Sequence, residues 1–137
     1  FPFSLRYQNC NQWLMELIAT AWGDLADGAD LRPRAQAWLA GNGYTPSSVE
    51  VGSHALMAAA TIVPWVRFDD HPEDDRFALR FRVSMPASIE AFVRQQVPAA
   101  ERIELCHDTQ KVVVRRGWAP IAEGCRPEPG DRVFTLD

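Results

Sequence analysis

Residues 6–22 read RYQNCNQWLMELIATAW and carry the clearest structural signal in the chain. Asn9 is a favoured N-cap residue, and Gln12 stands three positions later, where a capping-box partner would be. Gly23 is well placed to end the helix. The spacing i, i+3, i+4, i+7 of the apolar residues predicts an amphipathic helix over 10–21 with one buried face. The residues of that face are Cys10, Trp13, Leu14, Leu17, Ile18 and Ala21.

Beyond this helix, helical patterns come first and most strand patterns come last. Further helices are predicted over 31–39, 53–61 and 86–97, and strands over 49–51, 77–83, 102–107, 110–116 and 132–136. No shift in composition marks a second domain. We therefore expect an α+β fold in a single domain spanning residues 1–137.

Composition excludes two broad classes of function. The 14 basic residues are scattered and outnumbered by 18 acidic ones, which gives a net charge of −4 and argues against a nucleic-acid partner. The longest apolar stretch, 55–66, contains a threonine and a proline and is too short to span a bilayer, so the chain is not expected to be transmembrane. Four arginines on the predicted strands could line an anionic ligand site, but we expect them to solvate the sheets: Arg80, Arg82, Arg115 and Arg116.

The three cysteines, Cys10, Cys106 and Cys125, show no CxxC spacing, and the histidines are far apart in sequence. We therefore expect no metal site and no cofactor. One disulfide with one free thiol and three free thiols both fit the count. If a disulfide forms, Cys106–Cys125 is favoured because both residues lie near the C-terminal strands, which leaves Cys10 free.

The acidic stretch 69–75, DDHPEDD, lacks the spacing and the glycine of an EF-hand loop, so a calcium site is not expected. It is instead predicted to be a solvated loop. Its carboxylates are expected to raise the pKa of His71 by favouring the charged imidazolium.

Cys10 stands in the first turn of its helix, where a cysteine can act as a nucleophile. The positive end of a helix stabilises a thiolate, and its open N–H groups can receive the oxyanion of acyl transfer. The competing interpretation is a small buried hydrophobic residue. Asn9 is expected to cap the helix, with an oxyanion-binding role as the alternative. His107, at the end of a predicted strand, is a candidate base, although a turn histidine of this kind is more often simply exposed.

Asn9-Cys10, followed by Trp13 and an apolar helix, resembles the Asn-Cys motif of circularly permuted papain-like groups. These include the lecithin retinol acyltransferase-like proteins and the permuted deubiquitinating peptidases. The resemblance implies a cysteine helix packed on an antiparallel sheet, with a catalytic histidine that precedes the cysteine. No histidine precedes Cys10 here. The base would then lie upstream, or be a later histidine such as His107 or His54, or there is no catalysis.

Four stretches carry a second resemblance, which covers nearly the whole chain: FPFSLRYQNCNQW, RFRVSMPASIEAF, RIELCH and VVVRRGW. They resemble the C-terminal part of a family of uncharacterised bacterial proteins, a domain of unknown function. This resemblance implies an export signal, hence a periplasmic or secreted location, and a longer N-terminal region with a histidine. The start at Phe1 instead of Met agrees with that expectation.

The two resemblances together imply a thiol hydrolase or acyltransferase acting on an amide or ester in a small molecule or peptide. The N-terminal part of the same protein is the expected partner. The alternative is a non-catalytic envelope domain that keeps a papain-like frame for binding.

Overall fold

The computed structural model describes residues 1–136, which form five helices, five strands and two antiparallel sheets. The helices are α1 (Cys10–Trp22), α2 (Leu31–Gly41), α3 (His54–Ala60), α4 (Glu73–Phe77) and α5 (Pro86–Gln96). The strands are β1 (Ser47–Glu50), β2 (Arg80–Val83), β3 (Ile103–His107), β4 (Lys111–Arg116) and β5 (Arg132–Thr135). The predicted α+β class is confirmed, and the other predicted helices are confirmed as α2, α3 and α5 within two residues at each end.

The described chain divides into two compact units, Phe1–Gln96 and residues 97–136. The first unit contains all five helices and the β1–β2 sheet, and the second contains the sheet β3-β4-β5. The prediction of one domain over 1–137 stays a prediction, and its last residue, Asp137, lies outside the described residues.

Helix α1 begins and ends where its sequence predicts. Asn9 has an extended backbone, and its side-chain oxygen accepts a hydrogen bond from the Gln12 backbone N–H at 2.7 Å. Gly23 closes the other end by donating to the Ala19 carbonyl at 2.9 Å. The Gln12 side chain does not complete a capping box; it donates instead to the Ser4 carbonyl and to the carboxylate of Glu16.

The prediction that the apolar stripe of α1 is buried is wrong. The buried residues of α1 are Gln12, Met15, Glu16 and Ala19. Most of the apolar stripe faces outward, since Trp13 is 54% exposed, Leu17 is 45% exposed and Cys10 is exposed. The interior side of the helix thus carries two polar side chains in place of the expected apolar ones.

A hydrogen-bond network centred on the Glu16 carboxylate explains this reversal. The carboxylate accepts hydrogen bonds from Arg32 Nε at 2.9 Å and Gln36 Nε2 at 2.8 Å on α2, and also from Gln8 and Gln12. A buried charge is tolerated only when it is paired and hydrogen-bonded, and here four side chains meet that requirement. Forming this network turns α1 so that its polar side faces α2.

The core of the first unit lies beside this network and draws on α1, α2 and α5. Phe92 of α5 is 2% exposed and packs against Trp22, Trp38 and Tyr44. The Tyr44 hydroxyl donates to Ser84 Oγ at 2.8 Å, and the Asn11 side chain donates to the Ser84 carbonyl at 3.0 Å. These bonds tie the beginning of α1 to the chain that leaves β2.

Two predictions around the acidic stretch are wrong. Residues 69–75 do not form a solvated loop, because His71 is buried and the last three acids belong to the first turn of α4. The strand predicted over 77–83 begins only at Arg80, because Phe77 ends α4 and Leu79 has a φ of +55°. A positive φ of this kind does not fit a strand backbone.

The second unit is an antiparallel sheet joined covalently to the chain that follows β4. The predicted disulfide Cys106–Cys125 is confirmed, and Cys10 is a free thiol. Arg115 was expected to solvate the sheet but is only 6% exposed, and it donates to the Asp131 carboxylate at 2.8 and 2.7 Å. These hydrogen bonds, with one from the Glu128 backbone, lower the pKa of Asp131 to about 2.

None of the helices within residues 1–136 has the length and apolar character that crossing a membrane requires.

Candidate functional site

Cys10 is an exposed free thiol on the first residue of α1. The N–H groups of the first helical turn have no intrahelical partner, and the Asn9 side chain satisfies only that of Gln12. Asn9 therefore caps the helix as predicted, while the N–H groups of Cys10 and Asn11 lie at the open end beside the thiol. The interpretation of Cys10 as a buried hydrophobic residue is wrong.

An open cavity of about 510 Å³ lies beside this helix end, within the first unit. Its wall combines the N-terminal segment, including Asn9 and Gln12, with residues 64–71 and 81–84. Asn9, the N-cap residue, lines the cavity, whereas Cys10, which follows it in sequence, is not one of the lining residues. A cavity of this size is typical of sites that hold a small molecule.

His71 and Asp70 form a buried pair in the cavity wall. His71 Nε2 lies 3.1 Å from the carbonyl oxygen of Arg82, and Nδ1 lies 3.2 Å from Asp70 Oδ1. The ring packs edge-on against Phe81, with ring centroids 5.0 Å apart. Nε2 therefore contacts a carbonyl oxygen within the wall, while the buried Nδ1 faces Asp70 without a hydrogen bond. The ring has no hydrogen bond to the Cys10 thiol in this arrangement.

The expectation that the carboxylates of residues 69–75 raise the pKa of His71 is wrong. Burial is the main cause that lowers this pKa, against the opposite effects of the Arg82 carbonyl and Asp70. Only one of the neighbouring acids, Asp70, contacts the ring. Its other carboxylate oxygen accepts a hydrogen bond from the Phe1 nitrogen at 2.9 Å.

The other two histidines lie in different parts of the chain. His54 begins α3 and is exposed, with its ring 6.1 Å from that of Phe77. His107 is the last residue of β3, is exposed, and belongs to the second unit. Among residues 1–96, no hydrogen bond joins the Cys10 thiol to an imidazole. The role of His107 as a base stays a prediction.

The cavity was not predicted from the sequence, although some residues of its wall form a recognisable pattern. Residues 65–68 read WVRF and place two aromatic rings and a cation next to the acidic stretch. Arg82 was singled out as a strand arginine and does line the cavity. Within residues 1–136, no three His, Cys, Asp or Glu side chains are arranged to hold a metal ion.

Comparison with protein-family models gives a match. A family model described as "Uncharacterized protein conserved in bacteria (DUF2145)" matches residues 1–93, which include Cys10, α1 and the whole cavity wall. No curated protein and no solved structure matches the chain.

Proposed function

The chain belongs to this family of uncharacterised bacterial proteins, and from that premise we propose that it is a papain-like thiol hydrolase or acyltransferase acting on an amide or ester. Cys10 is the nucleophile. The observation that carries the proposal is an exposed, free thiol at the first turn of a helix whose N-cap residue, Asn9, lines a cavity of ligand size. The proposal includes a periplasmic or secreted location.

In the proposed reaction, Cys10 Sγ attacks the carbonyl carbon of the substrate and forms a C–S bond. The C–N or C–O bond then breaks, and the leaving group takes the proton that a histidine removed from the thiol. Water, or an acceptor hydroxyl or amine, cleaves the thioester and releases the free thiol. In this proposal, the backbone N–H groups of Cys10 and Asn11 stabilise the oxyanion.

The base in this proposal is a histidine upstream of Phe1, in an N-terminal part of the same protein. Two observations support that assignment over the histidines of the first unit. His71 is buried with Nε2 against the Arg82 carbonyl and Nδ1 facing Asp70, and the exposed His54 ring packs near Phe77. His107 in the second unit is the alternative base.

Alkylation of Cys10 tests the nucleophile. We expect iodoacetamide to modify Cys10 of the full-length protein at pH 6 at least tenfold faster than it modifies glutathione, because an activated site favours the thiolate. Mass spectrometry locates the adduct, and Cys106 and Cys125, held in a disulfide, do not compete for the reagent. A Cys10→Ser variant is the control and should show no label at position 10. A rate equal to that of glutathione would contradict the proposed nucleophile.

A second candidate function is a non-catalytic envelope domain that binds a partner through its papain-like frame. Two observations favour it: the outward apolar stripe of α1, and the lack of a hydrogen bond between Cys10 and an imidazole within residues 1–96. This alternative predicts the glutathione-like rate in the alkylation experiment. The two candidates therefore make opposite predictions for one measurement.

A further inference from the structure

The cavity at the N-terminal end of α1 has an aromatic wall that carries one positive charge without an ion pair. Trp65 and Phe68 line it, and the Phe68 ring packs against Phe81 with centroids 4.9 Å apart. Arg67, between the first two rings in sequence, is exposed and also lines the cavity. Arg67 thus lies between two aromatic residues of the sequence, Trp65 and Phe68. This combination suggests a ligand with both an apolar part and an anionic part.

The other charged groups of the wall already have partners. Asp70 accepts a hydrogen bond from the Phe1 nitrogen at 2.9 Å and lies 3.2 Å from His71 Nδ1, and Arg82 pairs with Asp75 at 2.8 Å. Asp69, the acid nearest to Arg67 in sequence that could neutralise it, pairs with Arg6 at 2.7 Å.

Within residues 1–136, Arg67 has neither an ion pair nor a side-chain hydrogen bond. This cavity in a protein of net charge −4 therefore offers a free guanidinium to an anion.

We propose that the cavity binds a carboxylate attached to an apolar or aromatic group, with the carboxylate on Arg67 and the apolar group against Trp65 and Phe68. A guanidinium pairs with a carboxylate through two parallel hydrogen bonds. The single charge of a carboxylate balances the free charge of Arg67, whereas a phosphate monoester would add nearly a second negative charge beside Asp70. This inference rests on the proposed function and names its substrate class: amides or esters that carry a free carboxylate, such as N-acyl amino acids.

The apolar half of the ligand is argued from exposure. Trp65 is 82% exposed although it lines the cavity, so a bound ring or acyl chain would remove indole surface from water. A volume of about 510 Å³ suits a molecule of the size of a blocked amino acid.

Calorimetric titration with a matched pair of probes tests this inference. The full chain carrying Cys10→Ala is titrated with N-acetylphenylalanine, which is anionic, and with its neutral amide. We expect the acid to bind at least tenfold more tightly than the amide, and Arg67→Gln to remove that preference. Arg67→Lys should retain part of the preference because it keeps the charge. Arg80→Gln is the matched control, since Arg80 is also exposed but pairs with Glu50 outside the cavity. The affinity of this variant for the acid should stay within twofold of that of the Cys10→Ala chain.

Equal affinities for the acid and the amide, no binding of either probe at millimolar concentration, or an unchanged preference in Arg67→Gln would each overturn the inference. Tryptophan fluorescence locates the ligand: the change on binding should disappear in Trp65→Phe, and its persistence would also count against the site. Because the Cys10→Ala chain performs no chemistry, these results are independent of the alkylation rate. Failure of the ligand assignment and failure of the proposed nucleophile are thus distinguishable.

Discussion

Glu16 shows how a single residue can reverse the orientation of a helix. An isolated carboxylate is costly to bury, yet this one is 6% exposed because side chains from α1, α2 and the N-terminal segment donate to it. The same donors hold the N-terminal segment in place, since the Gln36 side chain also donates to the Ser4 carbonyl at 3.0 Å. The segment that leads to Cys10 is thereby fixed to the helices.

Removing the Glu16 carboxylate should therefore destabilise the first unit strongly. We expect Glu16→Ala to lower the free energy of unfolding by about 3–5 kcal/mol, because Arg32 would remain partly buried without its partner. Urea denaturation followed by circular dichroism measures the change. Glu50→Ala removes an exposed ion pair with Arg80 and should cost only about 0–1 kcal/mol. Equal losses in the two variants would show that the Glu16 network contributes little.

At the scale of elements, α1 has a polar interior side and an apolar exterior side. Met15 is fully buried in the core, whereas Leu14, its neighbour in sequence, is 40% exposed. The exposed stripe runs along the helix from Cys10, so the surface next to the thiol is apolar. Either proposed function can use that surface, for a substrate or for a binding partner.

Substitutions at neighbouring positions of α1 test which side is buried. Met15→Ala should lower the free energy of unfolding by about 2–5 kcal/mol, because it leaves a cavity in the core. Leu14→Ser and Leu17→Ser should each change it by about 0.5 kcal/mol, as expected at exposed positions. Thermal or chemical denaturation provides the comparison. If the Leu14 and Leu17 substitutions lowered the free energy of unfolding as much as Met15→Ala, the apolar stripe would be the buried side of α1 after all.

At the scale of the whole molecule, the second unit depends on a disulfide and a buried ion pair as well as on its sheet. Arg115 reaches Asp131 and also donates to the Pro120 carbonyl at 2.7 Å, so one guanidinium holds two parts of the chain after β4. Cys125 attaches the same part of the chain to β3. These contacts compensate for the limited core of a three-stranded sheet.

The ion pair predicts how the stability of this unit depends on pH. The pKa of Asp131 is about 2 in the folded protein, against roughly 3.9 for an unfolded aspartate. The folded state therefore binds fewer protons, and the stabilisation is complete above pH ~4 and is lost as the pH falls through about 2. Denaturant midpoints between pH 5 and 2 should fall more steeply for the wild type than for Asp131→Asn. Identical slopes would contradict this linkage.

The fold class and most elements were predictable because they depend on local signals. Asn9 and Gly23 bracket α1 through capping chemistry, and strand periodicity with turn residues defines β3, β4 and β5. The site was only half predictable. Cys10 and Asn9 follow from the local motif, whereas the cavity requires residues 64–71 and 81–84 to meet the N-terminal segment.

Local sequence signals suffice to predict where α1 begins, which residue caps it, and that a cysteine occupies its first turn, because capping and helical spacing act within a few residues. Which side of α1 is buried, and whether the cysteine is accessible, depends on tertiary contacts. Hydrophobic spacing selects the apolar side, but a carboxylate with enough buried donors makes the polar side equally suitable for the interior. Those donors come from α2 and from residues before α1, so the outcome depended on contacts that no local pattern contains.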